Sequence, residues 1–286
     1  MKILVLDIGG TFIKFAVMNE RAEIFQRGKI PTPLNSRADF FDAIYKIFKS
    51  NFAEGIAISM PGIIDAERGI CLKSSALPYN DGCNIVDELE KICGVKVTIE
   101  NDANCAALAE AKIGSLADVS DGFVMVFGTM IGGAVIKNHE VHKGKNFLAG
   151  EISFLSVNGE MFHKNCSVPA LLKSYAQIKN LSIEEITGEK FFKAVTEKEK
   201  DALACLDKFT RQIAVQIFNI QILLDVEKIA VGGGISEQEI FINLIRENLE
   251  KVYNSCEIKF PKIEIVPCKF RNDANLIGAL FRWIAP

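Results

Sequence analysis

The chain has 286 residues, 49% of them hydrophobic and 24% charged, with a formal net charge of −3. That length holds one large domain or two lobes with separate cores, and the slight acidity supplies none of the basic surface that a nucleic-acid binder needs. No apolar run is long enough to span a membrane, the chain enters a strand at once with no room for a leader, and its eight cysteines lack any C-x-x-C pair, so reduced, buried thiols in a cytoplasmic protein are expected.

Strands are expected near 2–8, 12–18 and 22–30, the last closed by Pro31 and Pro33. Between the first two lies Asp7-Ile8-Gly9-Gly10-Thr11. Gly9 and Gly10 let backbone N–H groups come close to an anion, and Thr11 adds a hydroxyl. Asp7, at the strand end, is placed to hold a hydrated Mg²⁺ beside that anion. A plain Gly-Gly hairpin explains the run equally well in isolation, but a related hairpin recurs later in the chain. Helical periodicity runs from Arg37 to about Phe52, with Phe40, Phe41, Ile44, Ile47 and Phe48 on one face. A buried strand at 55–60 breaks at Pro61-Gly62, a loop passes through Gly82, and a helix covers 85–93. The strand at 95–100 ends at Asn101-Asp102, either of which can cap the Ala-rich helix that follows to about Ile113.

The order then starts again. A strand at 123–127, a turn at 128–133 and a returning strand at 134–137 lead, after a polar excursion, to a mostly helical stretch from Val168 to Leu224. A strand at 228–231 runs into Gly232-Gly233-Gly234. A helix from about Ser236 to Val252, a strand at 263–266 and a helix from Asp273 to Trp283 close the chain. Two βββαβαβα halves, each opening with a Gly-Thr hairpin, imply two similar lobes around a cleft that both hairpins face. The expected boundaries are 1–113 for the first lobe and 114–271 for the second, with 272–286 packing back on the first.

Asp7-Ile-Gly-Gly-Thr11, Pro61-Gly62, Asn101-Asp102-Ala-Asn104, Gly128-Thr129 with Gly132-Gly133, Gly150-Glu151 and Gly232-Gly-Gly234 occur in the order seen in the ROK family (repressors, open reading frames and sugar kinases), which the whole chain resembles. The resemblance implies an α/β, actin-like ATPase fold of the sugar kinase and Hsp70 type, ATP with Mg²⁺, and phosphorylation of a hexose. Phosphoryl transfer needs a phosphate cradle, a metal and an acceptor for the nucleophile's proton. The cradle falls to Gly9, Gly10, Thr11 and Lys14 on one side and Gly128, Thr129, Gly132 and Gly133 on the other, with Gly233 and Gly234 at the adenosine or a phosphate oxygen. Asp102, at a strand-to-helix junction, is the candidate base. Glu151 and Asn101 match the family's sugar-binding residues, and Gly62 and Ser75 lie in loops that the resemblance puts at the sugar; ordinary turn chemistry is the competing reading, above all for Ser75.

Three departures from the family pattern stand out. Met130 replaces a glycine of the second hairpin, putting a side chain near the phosphates or into the core. Ser153-Phe154 replaces Gly-His after the glutamate, so an aromatic face takes the place of an imidazole at the sugar. The cysteine-rich zinc loop is missing: Cys166 stands alone, and His139, His142 and His163 form no tetrahedral set, so no structural zinc is expected. Zinc-free members with an aromatic residue at that position include β-glucoside kinases and some N-acetylmannosamine kinases, and Tyr175–Ile178 with Glu184–Glu189 resembles the former.

The expected activity is therefore ATP-dependent phosphorylation of the 6-hydroxyl of a hexose or β-glucoside, with N-acetylmannosamine as the alternative substrate. Two readings of another class are a sugar-responsive regulator, which would need a helix-turn-helix ahead of the strand that here begins at residue 2, and a sugar-binding pseudoenzyme, against which Asp7, Lys14 and Asp102 stand. The expected partner is a small sugar, with no nucleic acid or membrane, and the protein is expected to form a homodimer.

Overall fold

The computed structural model describes residues 1–157 and 159–285. Its elements in chain order are β1 (Ile3–Ile8), β2 (Phe12–Met18), β3 (Ile24–Pro31), α1 (Arg37–Asn51), β4 (Gly55–Met60), three short strands β5 (Ile63–Asp65), β6 (Ile70–Lys73) and β7 (Cys83–Asn84), then α2 (Ile85–Cys93), β8 (Lys96–Asn101) and α3 (Asp102–Ile113). The chain continues through β9 (Gly122–Phe127), β10 (Ile131–Lys137), β11 (Glu140–His142), β12 (Ser156–Val157), β13 (Glu160–Met161), α4 (Phe162–Cys166), α5 (Val168–Lys179), α6 (Gly188–Thr196), α7 (Lys200–Leu224), β14 (Lys228–Gly232), α8 (Glu239–Ser255), β15 (Glu264–Pro267) and α9 (Ala274–Ile284).

The chain divides into two compact units. The first comprises Met1–Ile113, Glu140–Ala149 and Asp273–Pro286, and the second Gly114–His139 and Gly150–Asn272. The expected second lobe of 114–271 differs from this in two places: Glu140–Ala149 belongs to the first unit, and Asn272 to the second. Charge explains the first, because Lys143 reaches Glu100 at 2.7 Å and Glu140 reaches Lys112 at 2.6 Å.

In the first unit the sheet order is β3-β2-β1-β4-β8, with β1, β4 and β8 parallel. The strand period of two decides what each face meets. Leu4, Leu6 and Ile8 of β1 join Phe40, Ile44 and Leu89 in one core, while Ile3 and Val5 join Cys105, Leu276, Ala279 and Trp283 in another. Asp7 shares the face of Ile3 and Val5, so its carboxylate is delivered toward α9. Helix α1 forms where Ser36 accepts from the Asp39 N–H at 3.1 Å, and α2 where Asn84 accepts from Asp87 at 3.1 Å and Gly94 takes the left-handed cap. Helices α3 and α9 approach so closely that a Cβ on Gly278 would lie 1.7 Å from the Cys105 carbonyl oxygen.

The second unit repeats the pattern, with strands in the order β10-β9-β14-β15 matching β2-β1-β4-β8. Phe127 of β9 packs edge-on against Phe241 of α8 and Phe209 of α7, at centroid distances of 5.6 and 6.4 Å. The region read as a loop between 63 and 84 carries the small sheet β5-β6-β7, and the polar excursion after 137 carries β11, β12, β13 and α4.

Candidate active site

In the first unit the β1–β2 hairpin is closed by the Gly9 N–H donating to the Phe12 carbonyl at 2.9 Å. Its base is fixed by Thr32, whose hydroxyl donates to the Gly9 carbonyl at 2.7 Å and whose N–H donates to the Thr11 carbonyl at 3.0 Å. Gly10 and Thr11 are exposed, and among the described residues neither backbone N–H has a protein acceptor. A Cβ on Gly10 would stand 3.7 Å from that of Ala76, which puts the hairpin tip beside the loop of Ser75.

Asp7 is only 8% exposed. One carboxylate oxygen accepts from the Asn275 amide at 3.0 Å and from the Ser59 hydroxyl at 3.5 Å, while the other lies 3.4 Å from the Lys14 ammonium. Lys14, its cross-strand partner, is half exposed, so solvent screens the pair to a contribution of roughly 1 kcal/mol or less. A hydrated Mg²⁺ takes one or two protein carboxylates and completes its shell with water and phosphate oxygens. Asp7 fits that sparse demand, and the outward N–H groups of Gly10 and Thr11 fit an anion.

Asn101, not Asp102, closes the start of α3: its side-chain oxygen accepts from the Asn104 N–H at 3.0 Å. Its amide donates to the Gly62 carbonyl at 2.9 Å. Gly62 has φ +127°, and a Cβ there would stand 2.4 Å from the Lys73 carbonyl oxygen, so only glycine brings the 61–62 turn against that strand. Asp102 is half-buried, and one of its oxygens accepts from the Ala103 N–H at 2.9 Å. Ser74 is the anchored member of its serine pair, donating to the Pro61 carbonyl at 2.9 Å, and Ser75 beside it is exposed.

In the second unit the β9–β10 hairpin exposes Gly128, Thr129 and Met130. Met130 is 37% exposed, which excludes the core position considered for it. Gly132 and Gly133 lie inside β10, paired with Val126 and Met125, rather than in the turn. Gly133 is glycine for packing: a Cβ would stand 2.4 Å from the Gly150 carbonyl oxygen, and Gly150 itself has φ +95°. This close approach seats the Gly150-Glu151 turn on the strand. Ser153 pins it there, donating to the Ile131 carbonyl at 2.8 Å and accepting from the Ile131 N–H at 3.0 Å. Burial raises the Glu151 carboxyl above its ordinary value. Phe154 is 59% exposed, so it does not pack inward; its ring meets the His163 ring edge-on at 6.0 Å. His163 Nδ1 lies 2.8 Å from the Ser153 carbonyl oxygen, an acceptor only, so that nitrogen carries the proton.

Gly233 runs against the end of β9, where its Cβ would stand 2.1 Å from the Phe127 carbonyl oxygen, and Gly234 has open space around it. The strand is followed by one 3₁₀ turn, Gly234–Glu237, and not directly by an α-helix. Gly233 is thereby brought against Phe127, the residue that directly precedes Gly128. Among the described residues no three His, Cys, Asp or Glu side chains gather as a metal set. The buried Cys166 thiol, pushed up to about 12 by desolvation, donates to Gln212 at 3.2 Å.

Sequence reasoning missed Ser59, Asn275 and Thr32 beside Asp7 and its hairpin in the first unit, and His163 beside Ser153 in the second. A signal existed for one of them: Asn275 closes a second Asn-Asp-Ala-Asn run.

Among solved structures, a ROK family protein from Streptococcus pneumoniae in complex with sucrose matches with a TM-score of 0.90 at 28% identity, over 99% of this chain and 98% of that one. The fold is the actin-like ATPase fold of the ROK sugar kinases. The ROK family model matches residues 3–285, and the chain belongs to that family. A β-glucoside kinase of Listeria monocytogenes is 31% identical over 99% of this chain and 98% of its own length. An N-acetyl-D-glucosamine kinase of Vibrio atlanticus is 30% identical over 96% and 97%.

Proposed function

We propose that this protein is a sugar kinase that transfers the γ-phosphoryl group of ATP to the 6-hydroxyl of a hexose or β-glucoside. The observation that carries the reading is the start of α3. Asn101 takes over the capping of the helix and grips Gly62, while the adjacent Asp102 presents a half-buried carboxylate. Asp102 accepts the hydroxyl proton as the oxygen–phosphorus bond forms and ADP departs, carrying the electron pair of the broken bond. Asn101 and Glu151 hydrogen-bond the sugar's hydroxyls. Gly10 and Thr11 offer N–H groups to phosphate oxygens, and Gly128, Thr129 and Gly234 offer exposed backbone to the nucleotide. Asp7 holds the hydrated Mg²⁺, which when bound neutralises phosphate charge.

The likeness to a β-glucoside kinase at 31% identity and the exposed aromatic face of Phe154 support a β-glucoside as substrate. An apolar platform suits the C–H face of a pyranose or of an attached aglycone. Parallel assays of ADP production with glucose, cellobiose, N-acetylglucosamine and N-acetylmannosamine test this. Cellobiose is expected to give a kcat/KM at least comparable to that of glucose. A clear preference for an N-acetylated hexosamine, with β-glucosides inert, would overturn the glucoside assignment, and no sugar-dependent ADP production at all would overturn the kinase reading.

A further inference from the structure

Beneath Asn101 and Asp102 lies a carboxylate that the reaction itself does not use. Glu100 is 0% exposed. One of its oxygens accepts from the Asn101 backbone N–H at 3.0 Å and from the Asn104 side-chain amide at 3.1 Å. The other lies 2.7 Å from the Lys143 ammonium, itself only 18% exposed, and 3.9 Å from Arg282 Nε. It makes no directed hydrogen bond to either cation, so these contacts are electrostatic.

Burying such a pair is a poor route to stability, because desolvation offsets most of the Coulomb attraction. What the pair does locally is specific. Through Asn101 N–H and Asn104 it grips both ends of the first turn of α3, and Asn101 in turn grips Asn104 and Gly62. The result is one hydrogen-bonded ring that includes the backbone on either side of Asp102. Lys143 is held by its own loop: its carbonyl accepts from the Ala149 N–H at 3.1 Å, and Ala149 directly precedes Gly150-Glu151 in the chain.

We propose that Glu100 is a positioning residue for Asn101 and Asp102, with Lys143 as the counter-charge that keeps it in place. The role assigned to Asp102 rests on the kinase reading above; the ordering of the α3 start does not. Lys143→Met removes the nearer of the two cations from a position at the margin of the core, leaving Arg282 at 3.9 Å, and Lys143→Arg restores it; Glu100→Gln keeps one acceptor oxygen while removing the charge. Displacing a reacting group by about 1 Å can lower turnover roughly 10²-fold. We expect Lys143→Met and Glu100→Gln to lower kcat by about 10–100-fold with the KM for MgATP within about threefold, and Lys143→Arg to recover most of the loss. Hydrogen–deuterium exchange over 101–105 provides a readout independent of activity. It should quicken at least tenfold in Lys143→Met, with ordinary protection retained in β1 and β4. Unchanged exchange at 101–105 in both folded variants, or loss of protection spread evenly through the unit, overturns the proposal. Quickened exchange confined to 101–105 in a protein that phosphorylates no sugar would uphold the positioning role and sink the kinase reading instead.

Discussion

Ser153→Ala isolates the link between the second hairpin and the glutamate turn. The Ser153 side chain is 2% exposed and both donates to and accepts from the backbone of Ile131. Alanine leaves a buried N–H and a buried C=O without those partners. Each unsatisfied group costs about 1–3 kcal/mol, and allowing for some relaxation the pair should cost roughly 2–4 kcal/mol. For a unit of this size 1 kcal/mol moves the melting midpoint by about 2–4 °C, so the transition of the second unit should fall by roughly 5–15 °C. The assay is thermal melting with Ser255→Ala as control, whose exposed hydroxyl bonds the Val252 carbonyl and whose change should stay within about 0.5 kcal/mol. The loosened turn should also raise the sugar KM. A Ser153→Ala midpoint indistinguishable from that of Ser255→Ala would refute the reasoning, because it would mean that the hydroxyl does not hold the turn.

Asp102→Asn retains an oxygen that can accept from the Ala103 N–H, so the helix start should survive while turnover falls by roughly 10²–10⁴-fold; near-normal kcat would remove Asp102 from its role. Asp7→Ala should weaken the use of Mg-nucleotide, read as a rise in the Mg²⁺ and MgATP concentrations needed, while leaving calorimetric sugar affinity little changed. Because burial raises the Glu151 carboxyl, sugar affinity should weaken as pH falls through that raised value, and Glu151→Gln should abolish this limb of the pH profile. The same shift works against stability: the folded state keeps the proton longer, so stability should decline as pH rises from the ordinary carboxylate value through the raised one, and Glu151→Gln should flatten that slope.

Much of the fold was legible because long, periodic elements carry it. The apolar run of β1 and the apolar stripe of α1 reported themselves, as did the two glycine hairpins. The small sheet β5-β6-β7 did not, since strands of three, four and two residues are too short to display a period. Gly132 and Gly133 read as a turn because glycine signals a turn and a close backbone approach alike; the Gly150 carbonyl that demands Gly133 lies elsewhere in the chain. The candidate site shows the same division. Asp7 and Asn101-Asp102 carry local signals at strand ends, whereas Asn275 reaches Asp7 from 268 residues away. No local pattern contains that distance.

The tetrapeptide Asn-Asp-Ala-Asn occurs twice, at 101–104 and 272–275, and its two copies set their aspartates in different surroundings. Each fourth-position asparagine donates its amide to a carboxylate buried in the sheet: Asn104 to Glu100 at 3.1 Å and Asn275 to Asp7 at 3.0 Å. The helices that follow are the closely packed α3 and α9. The aspartates diverge. Asp273 receives both terminal nitrogens of Arg27, at 2.9 and 3.0 Å, so its two oxygens are committed to a bidentate pair with a permanently charged group. Asp102 accepts from the backbone of Ala103 in a half-buried setting. Asp273→Asn should therefore keep turnover within a few-fold of the unmodified protein, whereas Asp102→Asn should not. Equal losses of kcat in the two variants, with both melting normally, would show that the Arg27 pair does not separate the copies.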